Sequence, residues 1–174
     1  CPLISDKKTS PVLAALTNST YDGLCYHVEA TTAELSKTVP RIHYDEAWYA
    51  YARFNPVYEG RYGMHRGKRR ADDATVTVTH STHKCLAALS QSSMIHIRSG
   101  KVPVNPALFN EAFMMHTSTS PQYSLIASSD VSAKMMDDAG EYLTDESIGE
   151  AIAFRQTMAR LKREMKNDDA LMNK

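Results

Sequence analysis

The chain has 174 residues, 43% of them hydrophobic, which is enough for one ordinary core and therefore for a single domain or a large piece of one. Its 20 basic and 20 acidic residues cancel, so no net field draws in nucleic acid or an anionic membrane surface, and no stretch approaches the roughly 18 apolar residues of a membrane span. The N-terminal "CPLISDKKTSP" lacks the layout of a signal peptide, and Cys1, Cys25 and Cys85 are too far apart for metal-type spacing. A reducing cytoplasm fits best, and there the sequon Asn18-Ser19-Thr20 carries no glycan.

In chain order, "PVLAALT" (Pro11 to Thr17) reads as a short strand closed by the loop-forming "NSTYDG". A helix is expected over Val28 to Thr38, ended by Pro40, and "RIHYDEAW" then rises as a strand into Asp45 and Glu46. Residues 55–73, rich in Pro, Gly and mixed charge without periodicity, read as a long surface loop. The basic run "HRGKRR" within it is a solvated face beside Asp72 and Asp73 rather than an RNA site. "ATVTVTH" (Ala74 to His80) and "SSMIHIRSG" (Ser92 to Gly100) are strands. Asn105-Pro106 suits the cap and first turn of a helix carrying Leu108, Phe109, Ala112 and Phe113. A second helix is expected to start near Pro121, and a third from about Thr144 to Lys166 with Ile148, Ala151, Ile152, Met158, Leu161 and Met165 on one face. Met114, Met115, Met135 and Met136 fall at helical positions and read as core filler, and Cys85 as a packed thiol. His80, His96 and His116 read as packing or hydrogen-bonding residues rather than catalysts.

Strands alternating with helices imply an α/β fold with a mainly parallel sheet covered by helices on both faces, whose chemistry gathers at the carboxyl ends of the strands. Two charged residues stand there, Asp45 and Lys84. Within "VTVTHSTHKCLAALSQSS" Lys84 has only small or neutral polar neighbours, and a poorly solvated ammonium becomes a nucleophilic amine suited to a Schiff base with a carbonyl. If that carbonyl belongs to pyridoxal phosphate, a carboxylate must keep the pyridine nitrogen protonated, which Asp45 could do, while Ser81, Thr82 and His83 would suit a phosphate oxygen. Spacing alone favours the plainer alternative, with Lys84 an exposed strand-end lysine and Asp45 a helix cap.

"HYDEAWYAYARFNP", "THSTHKCLAALSQSSMIH" and "FNEAFMMHTSTSPQY" closely resemble successive blocks of the bacterial ornithine/lysine/arginine decarboxylases, pyridoxal-phosphate enzymes of the aspartate aminotransferase-like fold. The likeness runs from about Pro11 to the last helix. "DEAWYAYARFNPVY" is most similar to the acid-inducible, biodegradative arginine branch, the lysine and ornithine enzymes tending to have serine where Glu46 stands.

The resemblance implies that Lys84 carries the cofactor covalently, that Asp45 pairs with its pyridinium nitrogen, and that Ala47 lies against one face of the ring. It further implies that Ser81 and His83 bind the cofactor phosphate and that Trp48 flanks the pocket. Ser118 or Thr119 would reach the phosphate of a neighbouring subunit, although related enzymes tend to have threonine at Ser118. The implied reaction is decarboxylation of a basic amino acid, arginine to agmatine first and lysine or ornithine as alternatives, in a homodimer that builds larger assemblies. Its consumption of a proton suits cytoplasmic acid defence. A catalytically silent assembly relative is the other alternative, and no metal, membrane or nucleic-acid partner is expected. Fold-related enzymes bind most of the phosphate on an upstream turn that nothing before Pro11 supplies. Residues 1–174 are accordingly expected to be the central and later part of a cofactor-binding large domain, without its upstream half and C-terminal domain, and inactive alone.

Overall fold

The computed structural model describes residues 11–67 and 70–167. Four strands form one sheet in the order β1 (Ala14–Thr17), β2 (Arg41–Asp45), β3 (Thr75–His80) and β4 (Met94–Arg98). The first three run parallel, and β4 pairs antiparallel with β3 at the edge. The sheet is therefore α/β and mainly parallel, as its β-branched runs and intervening helix led one to expect.

Helix α1 (Val28–Leu35) forms the crossover between β1 and β2, and its first turn is capped by His27, whose Nδ1 accepts from the Ala30 amide. It ends three residues before the expected Thr38. Turn bonds from Lys37 and Thr38 back to the Glu34 and Leu35 carbonyls use up the last helical acceptors ahead of Pro40. Val28 packs with Ile42, Tyr44, Ala74, Val76 and Val78 to make the core on one sheet face. Within it the Tyr44 hydroxyl bonds Thr32 Oγ1 at 2.9 Å, and burial pushes the phenol up to about 12.

The opposite sheet face differs from the expectation of helices on both sides. Register places Ala15, Thr17, His43, Asp45, Thr77, Thr79 and Ile95 on it, and Ala15, Thr17, Asp45 and Ile95 are exposed. Strand periodicity makes these residues share a face; it cannot say what covers them.

Residues 55–73 are also more than a surface loop. Tyr62, Gly63 and His65 are buried, because the segment folds back over the end of the sheet. A Cβ on Gly63 would meet Val78 Cγ2 at 2.3 Å, so only glycine allows this approach. Of the basic run, His65 is interior, Arg66 and Arg70 are exposed, and Lys68 and Arg69 lie outside the described residues.

Beyond β3, the short α2 (Thr82–Cys85) leads toward β4, and α3 (Pro106–His116) begins as expected, with Asn105 Oδ1 accepting from the Ala107 and Leu108 amides. The two last expected helices are one, α4 (Tyr123–Asn167), 45 residues long. Gly140 does not break it. It lies where the helix crosses the 3-10 turn Ala50–Phe54, and a Cβ there would stand 2.8 Å from Phe54 Cβ. Asn55 Nδ2 ties the same crossing to Thr144 Oγ1 and Asp145 Oδ1, at 3.1 and 2.7 Å. Of the four methionines read as core filler, Met136 alone is buried; Met114, Met115 and Met135 are exposed. The apolar stripe Ile152, Met158, Leu161 and Met165 is likewise exposed, since amphipathic spacing marks a face without supplying its partner. No helix among the described residues is long and apolar enough to cross a membrane.

Candidate active site

The carboxyl ends of β1, β2 and β3 point the same way, and the chain leaving each of them reaches one cavity of about 390 Å³. Thr17, Ser19, Thr20 and Tyr21 come from β1 and its loop, Asp45, Ala47 and Trp48 from the end of β2, and Lys84 from α2 after β3. Parallel strands dictate this convergence, because each ends at the same sheet edge and turns there into a connection. The volume falls within the roughly 300–1,000 Å³ of small-molecule sites.

Asp45 is held by its own turn: Oδ1 accepts from the Ala47 amide at 3.1 Å, which leaves Oδ2 for a ligand. Tyr21 stands edge-on to Trp48 with ring centroids 5.3 Å apart, and Lys84 Nζ lies 5.0 Å from the Trp48 centroid. The quadrupole of the indole face attracts the ammonium there. Lys84 itself is exposed, contrary to the poorly solvated position expected for it. It stands between this cavity and a larger one of about 720 Å³, which Tyr51, Tyr58, Cys85, Met136 and Ile148 help to line beside α4. That second space has no Asp45 and no strand ends. Cys85, expected to be packed, is exposed; partial desolvation still pushes its thiol above the ordinary cysteine value, against the opposing charge of Lys84.

The other expected phosphate ligands do not line the 390 Å³ cavity. Ser81 precedes α2 without capping it, Thr82 turns inward and is 1% exposed, and His83 Nδ1 donates to the Ser92 carbonyl at 2.8 Å. Ser118 and Thr119 lie exposed between α3 and α4, Ser118 Oγ accepting from the Ser120 amide. The hydroxyls of Thr17, Ser19 and Thr20 were missed, because Thr17 read only as the end of a strand and "NSTYDG" only as a turn. Their position directly after a strand end was the available signal. Among the described residues no group of three or more His, Cys, Asp or Glu side chains could hold a metal ion.

The least expected residue is Glu46, 1% exposed and outside the lining of that cavity. Its Oε1 accepts from Asn18 Nδ2 at 2.8 Å and from the Gly63 amide at 2.7 Å, and its Oε2 faces His80 Nε2 at 3.2 Å. Asn18 is fully buried and engaged, so the sequon is closed to glycosylation in this fold. His80 and His96 pack with ring centroids 5.0 Å apart. Burial, and next the charge of His80, lower the pKa of His96. His116 Nδ1 donates to the Ala112 carbonyl.

Residues 4–171 match the family model described as Orn/Lys/Arg decarboxylase, major domain. The chain belongs to this family. It is 50% identical to the biodegradative arginine decarboxylase of Escherichia coli strain K12 over 96% of its own length and 22% of that enzyme's. It is 49% identical to a lysine decarboxylase of Pseudomonas aeruginosa over 97% of itself and 22% of the relative. A solved lysine decarboxylase structure from Pseudomonas aeruginosa superposes with a TM-score of 0.86 at 49% identity, covering 97% of this chain and 23% of that one. The chain thus spans about a fifth of the length of the relatives it matches. Arginine and lysine enzymes of the family stand at nearly equal distance, so identity does not select between the substrates.

Proposed function

We propose that the chain is the central and later part of a pyridoxal-phosphate-binding large domain within a longer decarboxylase of basic amino acids. One observation carries the reading: a primary amine, Lys84, and a carboxylate, Asp45, line the same cavity at the carboxyl ends of parallel strands. The donor set fits the cofactor. Lys84 would hold it covalently through its carbonyl, Asp45 Oδ2 would meet the pyridine nitrogen, Ala47 would lie against one face of the ring, Trp48 would flank the pocket, and Thr17, Ser19 and Thr20 would offer hydroxyls to anionic oxygens. When bound, pyridoxal phosphate supplies a ring that accepts the electron pair released as carbon dioxide departs.

Lys84 would be the residue that holds the cofactor, and its exposure at the cavity edge leaves the side chain room to move. Asp45 would keep a proton on the pyridine nitrogen, because a carboxylate beside that atom stabilises its charged form. Trp48 would flank the pocket beside the Lys84 ammonium. Ser81 and His83 would serve the phosphate through atoms left unengaged here, His83 by Nε2, and Ser118 and Thr119 would reach a neighbouring subunit's site in a homodimer that builds larger assemblies. The presence of both Lys84 and Asp45 speaks against a catalytically silent relative.

Arginine, yielding agmatine, is the substrate read first from "DEAWYAYARFNPVY", and proton consumption would suit cytoplasmic acid defence. A lysine or ornithine enzyme is the second reading, favoured by the 49% identity to a lysine decarboxylase. Turnover of the three amino acids by the full-length enzyme decides between them. An arginine enzyme is expected to prefer arginine by at least about a hundredfold in kcat/KM, since a guanidinium fills forked acceptors that an ammonium leaves unpaired. Comparable rates on lysine would transfer the protein to the second reading.

A further inference from the structure

We propose that Glu46 is a positioning residue that sets the placement of Asp45 against Lys84, an inference that rests on the roles given above to those two residues. A carboxylate 1% exposed is costly to bury unless it is hydrogen-bonded at both oxygens, and here the partners come from separate parts of the chain. Oε1 holds Asn18 and Gly63, and Oε2 holds His80. The Glu46 amide donates to the Thr79 carbonyl at 3.0 Å, and the Asn18 amide to the Asp45 carbonyl at 2.8 Å.

One side chain thereby joins the ends of three strands, each of which passes directly into a cavity wall. Asn18 precedes Ser19, Thr20 and Tyr21, and closes their loop by accepting the Tyr26 amide on Oδ1 and donating from Nδ2 to the Arg61 carbonyl. Glu46 lies between Asp45 and Ala47, the two residues joined by the Asp45 turn bond. His80 precedes Ser81, whose carbonyl accepts the Lys84 amide at 3.0 Å. Glu46 lines none of the 390 Å³ cavity, so it acts on the site only through these neighbours.

The test uses the full-length enzyme. Glu46→Gln keeps an oxygen for Asn18 and Gly63, and its amide can donate to the other tautomer of His80, so kcat is expected within about threefold of wild type. Glu46→Ala removes the hub, and Glu46→Asp keeps the charge but withdraws it by one methylene. Both are expected to lower kcat by at least about thirtyfold with KM changed less than about threefold, as misplacement by an ångström lowers rate more than binding. In the cofactor-free protein, amide hydrogen exchange at Ala47 and Gly63 is expected to quicken at least about tenfold in Ala and Asp but not in Gln.

Wild-type kcat in Glu46→Ala beside a collapsed Asp45→Asn overturns the proposal and leaves the site reading standing. A Gln variant as damaged as Ala overturns it too, since charge and not reach would then be what matters. Failure of both Ala and Asp to fold makes Glu46 a folding residue and equally ends the proposal. Should Asp45→Asn itself turn over normally, the site reading falls and the proposal with it.

Discussion

Lys84→Ala in the full-length enzyme is expected to abolish decarboxylation, with a loss of at least about four orders of magnitude, the scale on which enzymes lose activity when a covalent catalytic group is removed. Among the described residues the side chain is the only primary amine lining the cavity of Asp45, Ala47 and Trp48, so on the proposed reading its removal takes away the nitrogen that would hold the cofactor's carbonyl. Folding should survive. Lys84 is exposed, and its side-chain contact is with the face of Trp48, worth at most about 1 kcal/mol at such a site. Borohydride treatment followed by peptide mapping makes the check independent of activity. Wild-type protein should retain the cofactor on the peptide containing Lys84, and the variant should retain none. A variant that keeps a reducible cofactor on another lysine would refute the assignment.

Asp45→Asn is expected to lower kcat by at least about two orders of magnitude while leaving the fold and the substrate KM nearly unchanged. The amide has the same shape, and its oxygen can still accept the Ala47 amide, so the turn at the end of β2 persists. What disappears is the negative charge that, on the proposed reading, would keep the pyridine nitrogen protonated, and a preorganised electrostatic partner of a transition state is typically worth about 3 kcal/mol. Single-turnover rates with saturating cofactor separate this loss from weaker cofactor binding. Near-normal turnover would show that Asp45 is the plain turn cap that its spacing alone also allows.

Much of the fold is legible in the sequence. The β-branched run of β3, the Asn105-Pro106 start of α3 and the loop after Thr17 follow from backbone and side-chain preferences that act within a few residues. Asp45 and Lys84 are singled out by their place near the carboxyl ends of strands, and it is the family resemblance, not their spacing, that gives them roles. The length of α4 was not legible, because Gly140 and the polar residues around it weaken the helical pattern locally. The close packing of Phe54 against Gly140 overrides that weakness from 86 residues away in sequence. The exposed methionines mislead for a related reason: periodicity reports which side chains share a face and says nothing of what faces them.

By itself, then, the sequence determined the α/β class and the succession of strands and helices along the chain, since these arise from local patterning. Only the tertiary structure decided which walls meet. It brought Thr17, Ser19, Thr20 and Tyr21 to the cavity, kept Ser81, His83, Ser118 and Thr119 off its lining, and turned Glu46 inward to bind Asn18, Gly63 and His80. Those partners lie 28, 17 and 34 residues from Glu46. Contacts of that span form where parallel strands end side by side, a matter of register between strands that no stretch of one strand encodes.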